Sequence, residues 1–176
     1  MKALIFAAVG AASVVVLPGL ASAQVAPEYY GSLGYNNTKI DDANLGAVQG
    51  RLGAKLNKNF GVEAEVSGGV KDDEITAGGV PVKVELQHQA AAYAVGFLPV
   101  TPQLDLIARA GYGSTKAKAS AVGTSFSDSN ESWNYGVGAQ YSFDAKNGVR
   151  ADWTKSEYQH SDSDSDTVAV AYVRKF

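Results

Sequence analysis

The sequence contains no cysteine, so neither a disulfide framework nor a thiolate metal site is available to it. It has one methionine, two histidines and five prolines in 176 residues. Fifteen Lys and Arg stand against 18 Asp and Glu, which is too little basic charge to hold nucleic acid. Beyond the N-terminus no run is long and apolar enough for a transmembrane helix, and no segment carries helical periodicity. Glycine, by contrast, is abundant at 19 residues, beside 9 Tyr, 6 Phe and 2 Trp. The length suits one domain with a real core.

The N-terminus has the three-part grammar of a secretory signal peptide. Met1-Lys2 is the positive region, "ALIFAAVGAASVVVL" the apolar core, and Ala21-Ser22-Ala23 the small-residue cleavage site. The apolar run is about 15 residues, broken by Pro18-Gly19, and falls short of the ~20 needed to span a bilayer. Residues 1–23 are therefore expected to be removed, leaving an exported domain over 24–176 with 14 basic and 18 acidic residues.

Eight strands are expected in the mature chain, at 29–36, 45–56, 60–69, 82–98, 103–115, 132–143, 149–157 and 167–176. "NKN" (57–59), "PVTP" (99–102) and "DAKNG" (144–148) read as tight turns. The intervening connections at 37–44, 70–79, 116–131 and 158–166 are long and polar. Short and long connections thus fall on opposite ends of the strands. That layout matches a membrane-spanning up-and-down barrel whose short turns face the periplasm; a Greek-key sandwich has no reason to obey it.

Alternation leaves open which face is inside. In 133–143 Trp133, Tyr135, Val137, Ala139, Tyr141 and Phe143 alternate with Asn134, Gly136, Gly138, Gln140 and Ser142. In 45–56 Val48, Leu52 and Leu56 oppose Gln49, Arg51 and Lys55, and in 60–69 Phe60, Val62 and Val66 oppose Glu63 and Glu65. The polar faces mix glycine with a few charges of both signs, which suits a crowded lumen better than a wet exterior. If "NKN" sets Leu56 opposite Phe60, Arg51 falls opposite Glu65 and Gly53 opposite Glu63. If "DAKNG" sets Phe143 opposite Val149, Asp152 lies beside Gln140, and across "PVTP" Arg109 comes near Ala92. A lumen charge network of Arg51, Glu63, Glu65, Asp105, Arg109, Arg150 and Asp152 follows, since shielded charges must be paired and hydrogen-bonded.

The oily faces then carry aromatic girdles, with Trp133 and Tyr135 at one end and Tyr141 and Phe143 at the other; Trp153, Tyr93, Phe97 and Tyr112 are expected to point outward too. Segment 82–98 changes phase. Either a bulge near 88–91 flips its register or its first part projects beyond the membrane, and the second is preferred.

The chain ends "TVAVAYVRKF". With "YYGSLGY", "LIARAGYG" and "WNYGVGAQYSF", this ending resembles the small outer-membrane β-barrel family of Gram-negative bacteria, of the OmpA/OmpX type, over essentially all of 24–176. The resemblance implies an eight-stranded antiparallel all-β barrel, a lipid and lipopolysaccharide environment, and recognition of Tyr172 and Phe176 by the barrel-assembly machinery. Arg174 departs from the more usual apolar residue, which a snorkelling guanidinium at the interface accommodates.

No catalytic, cofactor or metal motif is present. His160 has Ser161 and Asp162 beside it, but consecutive loop residues point in different directions, and His88 has only Glu85 nearby, so a lipid-modifying enzyme is the minor reading. The carboxylates of "SDSDSD" (161–166), Asp41, Asp42, Asp72, Asp73, Glu74 and Asp128 fit no cation-loop template. The leading expectation is a structural barrel that displays acidic loops. A small porin-like channel is the alternative, and a soluble periplasmic barrel binding an apolar ligand a lesser one. The expected outcome of cell fractionation is recovery with the outer membrane, released only by detergent; a soluble periplasmic product would end the membrane reading.

Overall fold

Polar residues that must be shielded and apolar ones that must not be wetted alternate along almost every strand, and closing the sheet on itself serves both. The computed structural model describes residues 26–40, 43–71, 73–77, 80–121, 124–159 and 164–176. The expected leader, Asp41-Asp42, Asp72, and His160 with Ser161 and Asp162 lie outside the described residues. The strands are β1 (Glu28–Ile40), β2 (Ala43–Lys55), β3 (Phe60–Lys71), β4 (Asp73–Ala77), β5 (Val80–Pro99), β6 (Leu104–Ala121), β7 (Thr124–Ser142), β8 (Asn147–Tyr158) and β9 (Asp164–Lys175). All pairings are antiparallel. β1 lies between β2 and β9, and β3 pairs with β5 to close the ring. Eight strands make the barrel; β4 is a short addition against the start of β5.

The three short turns are one device used three times. Leu56 N–H donates to the Phe60 carbonyl at 2.9 Å, Val100 to Leu104 at 2.8 Å and Phe143 to Asn147 at 3.0 Å, each enclosing a three-residue loop. In each the first loop residue carries a side-chain oxygen that accepts two backbone N–H groups further on. Asn57 takes those of Asn59 and Phe60, Thr101 those of Gln103 and Leu104, and Asp144 those of Lys146 and Asn147. The Asn147 side-chain amide and these two backbone donors hold the Asp144 carboxyl below the ordinary aspartate range.

This device fixes the register and corrects two of the expected ones. The "NKN" loop sets Arg51 opposite Glu65 and Gly53 opposite Glu63 as read from the sequence. The second loop is Thr101-Pro102-Gln103, so Arg109 faces Val95 and Ala92 faces Tyr112. The third is Asp144-Ala145-Lys146, so Gln140 faces Arg150 while Asp152 faces Gly138. Composition marked the turns, but the residue with the capping oxygen decides where each closes.

The segments read as long loops hold more strand than expected. β6 and β7 pair up to Ala121 and Thr124, whereas β7 and β8 stop at Ser132 and Tyr158, so that hairpin rises above the neighbouring wall. Both accounts of 82–98 describe part of what is found. β5 pairs with β6 up to Lys83, and the register shifts between Leu86 and His88.

Tyr93 and Phe97 point into the barrel, contrary to expectation, and are only 4% exposed. On this strand both faces are apolar, and the small residues Ala90, Ala92, Ala94 and Gly96 take the outside. Glycines receive the inward rings: Tyr93 lies opposite Gly111 and Tyr30 opposite Gly53. A Cβ on Gly111 would stand 2.7 Å from the Tyr93 ring, whereas on outward-facing Gly50 it would meet only a Val66 methyl at 3.9 Å. Gly111→Val should therefore cost about 1–3 kcal/mol by overpacking, and Gly50→Ala should stay within about 0.5 kcal/mol of the parent, measured as urea midpoints of the refolded barrel.

Candidate functional site

The lumen is built from the inward position of every second residue. At the short-turn end Tyr30, Val95, Phe97, Ile107 and Val173 form an apolar cluster reached by Tyr93 from above. Higher up, polar side chains meet. The Asn36 amide donates to Gln49 at 2.8 Å, Thr38 and Thr167 hydroxyls lie 2.9 Å apart, and Ser132 donates to Asn134 at 2.8 Å. Leu45 and Ala47, packed against Ile40, close the long-loop end of this wall.

Between these layers lies a charge cluster with three guanidiniums and three carboxylates. Arg51 Nε donates to Glu65 Oε2 at 2.6 Å, while its Nη1 and Nη2 fork onto both Asp152 oxygens at 2.9 and 2.8 Å. Arg109 reaches the same Glu65 oxygen at 2.8 Å and Asp152 at 3.1 Å, and donates to the Thr154 hydroxyl. Arg150 is paired with Glu63, which also accepts the Tyr30 hydroxyl at 2.7 Å. The Arg109 guanidinium stacks 4.3 Å from the centre of the Tyr93 ring. These bonds cross the barrel from β2 to β8, β6 to β3 and β8 to β3. Small cross-strand neighbours leave the room: Glu63 faces Gly53, Glu65 faces Ala91, Arg109 faces Gly136, Asp152 faces Gly138 and Ala169, and Arg150 faces Ala171. Arg51 is 2% exposed and Arg150 1%. Equal numbers of opposite charges, multiply hydrogen-bonded, are the arrangement that offsets their desolvation.

Six of the seven residues expected in the lumen network meet here. Asp105 does not; it sits at the short-turn mouth with Lys55 at 3.1 Å, where the Lys55 ammonium also lies 4.5 Å over the Phe97 ring. Lys55, Tyr30 and Thr154 were not singled out from the sequence. Tyr30 had a signal, because of two adjacent tyrosines on a strand one must face inward.

Outside, large apolar side chains stand free. Trp133, Tyr135, Tyr141, Phe143, Trp153, Tyr172 and Phe176 all point away from the lumen, with Leu33, Leu52, Val66 and Val170 among them. One motif recurs at the long-loop edge. Tyr112 donates to Glu131 at 2.6 Å, Tyr135 to Glu157 at 2.7 Å and Trp153 to Asp166 at 3.0 Å. Each carboxylate lies on the next strand, two residues beyond the aromatic's cross-strand partner. Tyr112 and Trp133 rings pack edge to face at 5.2 Å. Charge within and hydrocarbon without is the reverse of a water-soluble protein. The family model of the outer membrane protein beta-barrel domain matches residues 4–176.

The chain belongs to the outer membrane protein beta-barrel domain family. It is a Gram-negative outer-membrane barrel. No curated protein sequence matches it. Among solved structures, Ail of Yersinia pestis, determined with the heparin analogue sucrose octasulfate, is 22% identical, with a TM-score of 0.62 over 85% of this chain and 99% of Ail. The N-terminal barrel domain of Pseudomonas aeruginosa OprF is 14% identical (TM-score 0.57, covering 82% of this chain and 96% of that one). Neisserial surface protein A is 12% identical (0.56, 85% and 97%). At these identities the likeness is one of fold.

The cluster's energetics can be tested in this outer-membrane barrel. Arg51→Ala strands part of the charge on Glu65 and Asp152 and should cost about 3–5 kcal/mol. Adding Glu65→Ala restores the charge balance and should recover part of that loss. A coupling of about 0.5–3 kcal/mol in the cycle, read by heat-modified gel migration, is expected; strict additivity would argue that the two do not interact.

Proposed function

We propose that the protein is a non-catalytic, closed outer-membrane anchor that carries acidic loops on the cell surface. The observation that supports this most is the balanced cluster of Arg51, Arg109 and Arg150 with Glu63, Glu65 and Asp152, set between apolar and polar layers in an eight-stranded lumen narrow enough for side chains to fill. An ion crossing it would have to part several desolvated pairs at once. His88 favours no acyl-transfer site, since its cross-strand neighbours are Gly68 and Lys116, neither an acid nor a hydroxyl.

On this reading residues 1–23 direct export, Tyr172 and Phe176 present the signal read by the barrel-assembly machinery, and lipid and lipopolysaccharide surround the apolar belt. The long connections carry Asp41, Asp42, Asp72, Asp73, Glu74 and the "SDSDSD" run. That charge suits cationic surfaces or the divalent ions that bridge lipopolysaccharide, and opposes a polysulfate of the kind seen with Ail.

A weakly conducting pore is the second reading. It draws on buried polar atoms without a hydrogen-bond partner among the described residues: Asn36 Oδ1, Gln49 Nε2 and Thr115 Oγ1 above the cluster, and Gln140 Oε1 and Arg150 Nε, the latter 3.6 Å from Asp152, at its lower side. Such atoms are where water would thread the lumen. Planar-bilayer recording of purified, refolded protein separates the two. The expected trace is silent at 100 mV, and long-lived unitary steps would replace the closed anchor by the pore.

A further inference from the structure

Arg174 is out of place on a lipid-facing wall. It lies on β9 between Tyr172 and Phe176, both outward and exposed, at the short-turn end of the barrel. Its guanidinium donates at 3.0 Å to Oδ1 of Asn147, its cross-strand partner on β8 beside the third turn, which keeps the head at the short-turn rim. Among the described residues no carboxylate lies within ion-pair distance of it. Asp144 is near enough for the two charges to interact, yet its oxygens are taken up by Asn147 and two backbone N–H groups. Most of the guanidinium's donors therefore remain open toward the headgroup zone.

Beside it the apolar wall is indented. Gly31 lies opposite Arg174 on β1, and Gly50 lies next door on β2, so two outward positions lack side chains. They floor a groove of about 570 Å³ walled by Leu52, Tyr172 and Phe176, within the range of ligand-binding clefts. A Cβ on Gly31 would touch the Phe176 ring at 3.6 Å, and one on Gly50 would meet only the Val66 methyl, at 3.9 Å. The groove climbs from the guanidinium toward mid-membrane, which is the course of an acyl chain below its headgroup.

We propose that this flank binds one phospholipid of the periplasmic leaflet, its phosphate on Arg174 and one acyl chain in the groove over Gly31 and Gly50. Charge selects the occupant. A planar guanidinium without a carboxylate takes a phosphate in a forked, charge-assisted bond, and the short-turn end faces the leaflet made of phospholipid. The site depends on the barrel's membrane setting and not on whether its lumen conducts.

Native mass spectrometry of the detergent-purified full barrel, titrated with phosphatidylglycerol, tests this. The parent should saturate at one bound lipid. Arg174→Gln should weaken binding about tenfold, the loss of a charged hydrogen bond. Gly50→Ile, which fills the groove without touching the lumen, should weaken it comparably while leaving heat-modified migration unchanged. Diacylglycerol with the same chains and inorganic phosphate should each bind more weakly than the intact lipid. Adducts that fail to saturate at one, or that are equally strong in the parent and in Gly50→Ile, would overturn the site. A protein dimer removed by Gly50→Ile, with no retained lipid, would overturn it in favour of a second copy of the chain.

Discussion

In hydrocarbon a backbone N–H or C=O without a partner costs several kcal/mol, and the pairing of β3 with β5 is what removes the last unpaired edges from the ring. Everything else in the barrel answers to that closure. Eight strands enclose a space that side chains alone must fill. The residues that fill it cannot also cover the outside, so each strand divides its sequence between a lumen and a lipid phase. Trp133 and Asn134, or Leu52 and Arg51, are neighbours in the chain and belong to different solvents.

Filling that lumen with charge is possible because glycine and alanine stand across from nearly every charged residue. Gly136 and Gly138 on β7 and Ala169 and Ala171 on β9 leave space for Arg109, Asp152 and Arg150 to extend across the axis. Glu65 serves two guanidiniums and Asp152 three, so the pairs are not independent. A hydrophobic core of similar volume could be as stable; the ionic one adds direction, because Arg51 and Arg109 each pair with Glu65 on β3 and Asp152 on β8 and so tie those two walls together.

Much of this was legible in the sequence. The strand count, the two ends and the inward charges follow from period-two alternation and from the spacing of turn residues. Arg51 opposite Glu65 could be read because "NKN" has asparagine at the position that closes the loop. The same reasoning misplaces Arg109 and Asp152 because the prolines of "PVTP" and the glycine of "DAKNG" mark a turn without fixing where it closes, whereas Thr101 and Asp144 supply the oxygens that start those loops. Tyr93 and Phe97 were misread for a different reason. Alternation separates faces by polarity, and on Ala90 to Leu98 neither face is polar; bulk then assigns the rings to the lumen, where Gly111 leaves a gap. Asp105 has the right face but the wrong height, and height depends on register that a strand alone does not carry.

The three loops closed by Asn57, Thr101 and Asp144 make one rim of the molecule nearly flush, while at the other β6 and β7 stay paired up to Ala121 and Thr124. Turns closed in this way have a consequence for insertion. Their N–H groups and carbonyls are already bonded to one another and to the capping oxygens, so the blunt rim enters hydrocarbon with little bare backbone to desolvate. Three short caps thus make this rim the cheaper leading edge.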